Sequence, residues 1–325
     1  MAYVAGDTIT ASQYNIFVNN STSPYGYNHF AGTASGEYGL GQTTLATVTG
    51  GANTITAAQF NSLFTAMNNI ANHTNDTLTS TAAVATGDTI AIRAALEADL
   101  ATLAASVAAG SPNATALTTS ASLVTSDSST RWNGNHTVEQ SVTFASADDL
   151  RFFFNGGGKV RVTPSRQGNG SPAGATSKDS SFDELISAIG IFSIAAQSSS
   201  RSGTGETVTT NGLATGALEL STSYTTLLRL TQNSGSYTSN YVDVQAKLDD
   251  AVGTATVITV RFQFVDADGT DTLYGGGNNP PGYDAYVEFV GQTRVILTTM
   301  SPNTGEGLAS VVTVSSTAQV SNTTV

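Results

Sequence analysis

The chain has 325 residues and a mass of 33.2 kDa, with 12 basic and 24 acidic side chains, a net charge of −12 and a pI near 4.4. Charged residues make up 11% of it, under half of the roughly 25% usual in soluble domains, whereas 50 Thr and 36 Ser together exceed a quarter. An apolar content of 39% and a mean hydropathy of −0.02 exclude a charge-rich disordered protein, and the acidic balance argues against the basic face a nucleic-acid binder needs.

The absence of cysteine rules out a disulfide scaffold, a thiolate metal site and a Cys nucleophile. At this length a hydrophobic core suffices without such staples. The opening residues, Met1 to Asp7, carry neither a basic nor an apolar leader region, so no signal peptide is expected. The longest helix-like apolar run, Leu185 to Ala196, is broken by Gly190 and falls short of the about 18 residues of a membrane span. Synthesis in a cytoplasm is the expectation, wherever the protein finally works.

A repeat comes first along the chain. Residues 8–15 read Thr-Ile-Thr-Ala-Ser-Gln-Tyr-Asn and residues 54–61 read Thr-Ile-Thr-Ala-Ala-Gln-Phe-Asn, 46 positions apart. In each copy a Thr can cap a helix beginning at the following Ala. Helical spacing follows in Tyr14, Phe17 and Val18, and again in Phe60, Leu63, Phe64 and Met67. Between the copies lies a Gly- and Tyr-rich stretch with a short strand expected at Thr43–Val48. Two copies are too few for a solenoid. They read as a duplicated helical hairpin with a small aromatic core, and equally as a docking unit for a larger assembly. Ile9, Gln13, Tyr14, Ile55, Gln59 and Phe60 are its candidate docking residues. A third Gly-Asp-Thr-Ile, at 87–90, opens a helix expected from Ala91 to about Ala109, with Leu96, Leu100, Leu103 and Val107 as its stripe. Gly110-Ser111-Pro112-Asn113 stops it.

Residues 113–131 turn to Thr, Ser and Ala without periodicity and read as a linker. After them the pattern becomes β. Thr137–Phe144 puts Val138, Val142 and Phe144 on one face, with one bulge expected. Leu150–Phe154 and Lys159–Thr163 flank Asn155-Gly156-Gly157-Gly158, a hairpin signal. Further strands are expected at Tyr224–Leu230, Tyr241–Leu248, Ala255–Val265, Ala285–Val290, Arg294–Thr299 and Val311–Val320. Within the third, Ile258, Val260, Phe262 and Phe264 oppose Thr259, Arg261 and Gln263, the strongest alternation in the chain. One helix, Phe182 to about Gln197, interrupts the strands. This pattern predicts an α+β protein, with a small helical N-terminal assembly module (1–112), a linker (113–131) and an antiparallel β-sandwich or jelly-roll-like domain (132–325).

Catalytic constellations are thin. His29, His73 and His136 stand in separate contexts, and no metalloprotease, P-loop, nucleophile-elbow or dinucleotide motif occurs. Neither catalytic residues nor a cofactor are expected. Asp266, Asp268 and Asp271, spaced around Gly269, could converge on a hard cation, although Asp-x-Asp-Gly is also an ordinary turn after a strand. The acidic pairs Asp148-Asp149, Asp183-Glu184 and Asp249-Asp250 are adjacent in sequence, and neighbours on a strand point to opposite faces, unlike the facing carboxylates of a glycosidase. Trp132, Tyr274, Tyr283 and Tyr286 are amphipathic rings suited to stacking on sugar. Such rings also fill the ends of a sandwich core.

Three blocks carry a resemblance: Gly-Asp-Thr-Ile-Thr-Ala-x-Gln-Tyr-Asn at 6–15, Tyr38-Gly39-Leu40-Gly41-Gln42, and the second Thr-Ile-Thr-Ala-Ala-Gln-Phe-Asn with its trailing His73. Together they resemble the N-terminal regions of virion structural proteins of tailed phages, particularly those infecting cyanobacteria. The segment Asp149-Leu150-Arg151-Phe152-Phe153-Phe154-Asn155-Gly156-Gly157-Gly158-Lys159-Val160-Arg161-Val162 resembles a hairpin recurrent in the same proteins. The resemblance covers about a third of the chain and brings no catalytic motif. It implies a non-enzymatic virion protein, a tail fibre or baseplate appendage, assembled in the host cytoplasm and located in the virion. Its expected partners are other virion proteins, further copies of itself (a trimer) and host-surface glycan, with no nucleic acid and no membrane insertion. A capsid decoration or head-fibre protein and a glycan-degrading tailspike are the alternatives.

Overall fold

In the computed structural model, which describes residues 10–23, 25–32, 39–50, 55–86, 93–110, 117–128, 132, 134–167, 177–235, 237–267, 292–303, 308 and 312–324, both copies of the repeat start a helix. Thr10 precedes α1 (Ala11–Asn19) and Thr56 precedes α3 (Ala57–Thr74). In each, the Gln at the third helical position turns back, and its Oε1 accepts the threonine backbone N–H at 2.8 Å. Gln59 also gives its own N–H to Thr56 Oγ1 at 3.3 Å. The buried faces follow at the expected spacing, extended on α3 to Ile70. Helix α2 (Tyr27–Ala31) adds Tyr27 and Phe30, and α4 (Arg93–Ala108) adds the whole predicted stripe. Burying one Leu or Phe contributes about 1.5–3 kcal/mol and a cap about 1. Packing therefore holds these helices, and the caps decide where they begin.

The strand expected at Thr43–Val48 is not formed. That segment carries no regular secondary structure, and its backbone is held by a pair of asparagine side chains rather than by another strand. Asn15 Nδ2 donates to the Val48 carbonyl at 2.9 Å while its Oδ1 accepts the Val48 N–H at 2.8 Å. Asn28 holds Leu45 in the same way, at 2.9 and 2.8 Å. Asn61 holds Val84, at 2.9 Å both ways. Asn15 and Asn61 are the last residues of the two octapeptide copies, so among the described residues the capping Thr, the Gln and the Asn of each copy all have a structural use.

The chain divides into two compact units, one of residues 1–118, 148–158 and 301–313, the other of 119–147, 159–300 and 314–325. The division expected at 112 and 132 is redrawn accordingly. The supposed linker contains β1 (Leu117–Thr119) and β2 (Val124–Asp127), because its hydroxyl-rich backbone pairs with β11 (Gln292–Pro302). Ser120 and Ser128 flank β2 and donate their N–H groups to Thr299 and Thr293 at 2.8 and 2.9 Å.

The expected hairpin at 150–163 is also corrected. Residues Ala147–Asn155 form a helix, α5, and only the second arm is a strand, β4 (Lys159–Gln167). Asp148 and Asp149 lie in the first turn, where carboxylates favour a helix N-terminus. At the other end Gly157 has φ +85°. Gly158 N–H returns to the Phe153 carbonyl and Gly157 N–H to that of Phe154, both at 2.9 Å, which is a Schellman stop. Leu150, Phe153 and Phe154, at positions i, i+3 and i+4, are fully buried. His73 Nε2 donates to the Gly156 carbonyl at 2.9 Å and ties the end of α3 to this turn.

The second unit carries two antiparallel sheets, a β-sandwich. One runs β1-β11-β4-β5-β6, with β2 also on β11, and the other runs β12-β3-β10-β9-β8-β7. Strand β10 (Val257–Val265) pairs in unbroken register with β3 (Asn135–Thr143) and β9 (Tyr241–Leu248), its four even-numbered apolar residues inward. No bulge is needed in β3. Gln140 occupies the inward position between Val138 and Val142, and its Nε2 donates to Ser126 Oγ and the Val295 carbonyl, each at 2.9 Å. The register shift falls instead in β12 (Ser316–Thr324), between Gln319 and Ser321. The other strands are β5 (Phe192–Ile194), β6 (Ser199–Arg201), β7 (Thr207–Asn211) and β8 (Thr225–Thr231). Helix α6 (Ser177–Ile189) packs Phe182, Leu185 and Ile189 against β4, β8 and β9. It ends earlier than expected because Gly190 adopts φ +59°, and the remaining apolar run becomes β5. The strand expected at 285–290 lies outside the described residues.

Replacing Asn61 by Ala leaves the Val84 N–H and carbonyl without partners. It is expected to lower stability by about 1–3 kcal/mol, read as a fall in the urea midpoint at unchanged slope. Gly157→Ala places a Cβ in left-handed backbone and is expected to cost about 1–2 kcal/mol in the same assay.

Candidate functional site

The six candidate docking residues do not form an outward surface among the described residues. Gln13 and Gln59 spend their side chains on the helix caps. Tyr14 and Phe60 are buried and meet edge to face with centroids 5.4 Å apart. The same position of the two copies thus supplies both rings of that contact. Ile55 packs against the core, and Ile9 lies outside the described residues. On the outside of this unit, Tyr25 and His29 stack at 4.0 Å and, with Phe30, Ala101, Ala104 and Ala108, line a cleft of about 220 Å³. Burial holds the His29 imidazole below its ordinary pKa. A drug-sized ligand needs about 300–1,000 Å³, and the cleft is smaller than that.

Trp132, read from sequence as a glycan contact, is enclosed. Its Nε1 donates to Thr293 Oγ1 at 2.9 Å, and its ring packs on Phe182 at 4.9 Å and on His136 at 5.8 Å. An indole inside the sandwich satisfies its one donor and buries its whole ring, leaving nothing for a sugar. Tyr274, Tyr283 and Tyr286 lie outside the described residues, as do Asp268 and Asp271. Asp266, the remaining candidate cation ligand, is committed elsewhere: its Oδ2 is 2.6 Å from Lys178 Nζ, and both side chains are fully buried. Among the described residues no three His, Asp or Glu side chains come together as a metal site.

What sequence reasoning missed is the outer face of the second sheet. The Arg261 guanidinium on β10 lies 3.5 Å from the centroid of the Tyr224 ring, and Lys247 Nζ on β9 lies 4.6 Å from it. Arg261 also pairs with Glu139 on β3 at 2.5 Å. Two strands along, Arg229 on β8 makes a bidentate pair with Asp243 on β9, both bonds at 2.6 Å, and sits 4.1 Å from the Tyr241 centroid. Burial and then the Glu139 carboxylate push the Tyr224 phenol up to about 12. Burial would raise Glu139, but bonds from Arg261 and Tyr224 outweigh it and hold the carboxyl below its usual range. Hydrogen bonding to Asp243 keeps Arg229 firmly charged. The signal was present in the outward positions of β9 and β10 (Tyr241, Asp243, Gln245, Lys247 and Arg261), which alternate with the apolar ones. The result is a sheet face carrying two ion pairs, two cation-covered rings and hydroxyl or amide side chains, of which Ser141, Thr259 and Asp243 are buried.

His136, inside the sandwich against Trp132 and Phe264, has its pKa lowered by burial from 6.5 to about 4, against an opposing backbone bond at Thr323. Above pH 6.5 folded and unfolded chains both carry it neutral. Between pH 6.5 and about 4 only the unfolded chain takes up the proton, so stability falls by about 1.4 kcal/mol per pH unit. His136→Phe keeps a ring in place and is expected to flatten the acid limb of a stability–pH profile by one proton; an unchanged slope would contradict the assignment. No protein-family model matches the chain, and neither a curated protein nor a solved structure does.

Proposed function

We propose that the chain is a non-enzymatic structural component of a tailed-phage virion, a tail fibre or baseplate appendage that acts by binding. The observation that carries this reading is the outer face of the second sheet. Two ion pairs are fixed in place on it, Arg261 with Glu139 and Arg229 with Asp243, Lys247 lies over the Tyr224 ring, and many of its other outward positions are Thr, Ser and Gln. Exposed unpaired charges lose their reach in salt, with a Debye length of about 8 Å at physiological ionic strength. A face of hydroxyls, amides and neutralised pairs keeps its contacts as salinity varies, which suits a particle outside the cell. Hydroxyl and amide groups beside amphipathic rings also match the chemistry of a host-surface glycan. The three sequence blocks resembling cyanophage virion proteins support the same reading. In this proposal the helical unit docks to other virion proteins, and further copies of the chain close a ring, most simply a trimer.

An antibody raised against the recombinant chain and applied to negatively stained particles tests the assignment. Label at the tail or its appendages is the expected result. Label on the capsid shell would replace it with a decoration or head-fibre role. Incubation with host surface polysaccharide is expected to release no reducing ends, and their release would mark a degrading tailspike instead.

A further inference from the structure

We propose that Lys178 and Asp266 become joined by a covalent isopeptide bond that the folded chain forms on its own. Of the three lysines, Lys159 and Lys247 are half-buried at strand positions, whereas Lys178 has no exposed side-chain surface. It sits one turn ahead of Phe182 on the apolar stripe of α6, an unusual place for an ammonium group. Its Nζ lies 2.6 Å from Asp266 Oδ2 and 5.4 Å from the centroid of the buried Tyr237 ring. Asp266 is held from both sides: its own N–H donates to the Gly134 carbonyl, and the Ala267 N–H to Asn240 Oδ1, each at 2.9 Å. Oδ1 of Asp266 is buried and meets no hydrogen-bond donor among the described residues.

A buried ion pair with one carboxylate oxygen unmet among the described residues is a costly way to join two elements. An amide in its place removes both charges and one of the two oxygens. The geometry supplies what that condensation needs, namely an amine fixed against a carboxyl group on a pinned backbone, away from water. One proton passes from the ammonium to the carboxylate across the 2.6 Å contact. The amine lone pair then attacks Cγ and the N–C bond forms. A second proton moves from the nitrogen to the carboxyl hydroxyl, the Cγ–O bond breaks, and one water leaves. Atoms and charge balance with no oxidant, reductant or co-reactant. The bond would close a loop across 88 positions and tie the start of α6 to the end of β10, in a chain whose lack of cysteine excludes a disulfide.

Intact mass of the full-length protein, measured after denaturation, tests this. The expected mass is that of the sequence less one water, with trypsin unable to cut after Lys178 and the peptide 167–201 recovered linked to 262–294. Lys178→Ala and Asp266→Ala should each restore the full sequence mass. Because the first reading is made on the denatured wild type, it does not depend on either variant folding. Full sequence mass with free cleavage at Lys178, after prolonged storage of folded protein, would overturn the proposal. So would a water loss that maps to an unlinked 262–294 peptide, as from cyclisation at Asp268-Gly269.

Discussion

A backbone N–H or C=O taken out of water must find a partner, and in the first unit that requirement is met by asparagine side chains. A carboxamide presents one donor edge and one acceptor edge, as a peptide group does. Asn15, Asn28 and Asn61 therefore each replace one rung of a β ladder for Val48, Leu45 and Val84. Chain without regular secondary structure can then be held by α1, α2 and α3 without a sheet. The same logic explains what the duplicated octapeptide keeps: Thr to cap, Gln to close the cap, an aromatic for the core and Asn to hold the segment that follows. Asp99 extends the device to a carboxylate, accepting the N–H groups of Thr79 and Ser80 at 2.9 and 2.8 Å.

In the second unit the scarce charges serve the fold in a comparable way. Arg166 faces Asp179 and Asp183, Lys178 faces Asp266, and Arg294 faces Asp127. Buried or half-buried pairs of this sort add little net stability, but removing one partner strands the other, so they penalise wrong arrangements. The composition and the architecture are thus two views of one choice, and the proposed binding role draws on the same hydroxyl- and amide-rich sheet face.

Local periodicity made much of this legible. The β10 alternation, the α4 stripe and both repeat helices are visible in the residues because burial of one face leaves a period of 2 or 3.6. The failures share a different cause. Phe152-Phe153-Phe154 has strand composition and precedes Asn-Gly, so it reads as a hairpin arm. The opposing signals, Asp148 and Asp149 at a helix start and Gly157 as a left-handed stop, carry less weight in a pattern but decide the fold. At 43–48 a strand was expected and none forms, since nothing local says that Asn15 and Asn28 will turn toward it. The site was harder still. Trp132 looks like a surface ring until tertiary packing encloses it, and Tyr224, Arg261, Lys247 and Glu139 come from separate segments whose register no single-strand pattern contains.

Amide hydrogen exchange at Leu45, Val48 and Val84 tests most directly whether asparagine side chains stand in for strands. Each of these N–H groups lies in a segment without a backbone ladder and is given to an asparagine Oδ1. Protection close to that of the central α3 amides is predicted. Exchange at the rate of free, solvated chain at all three would contradict the account.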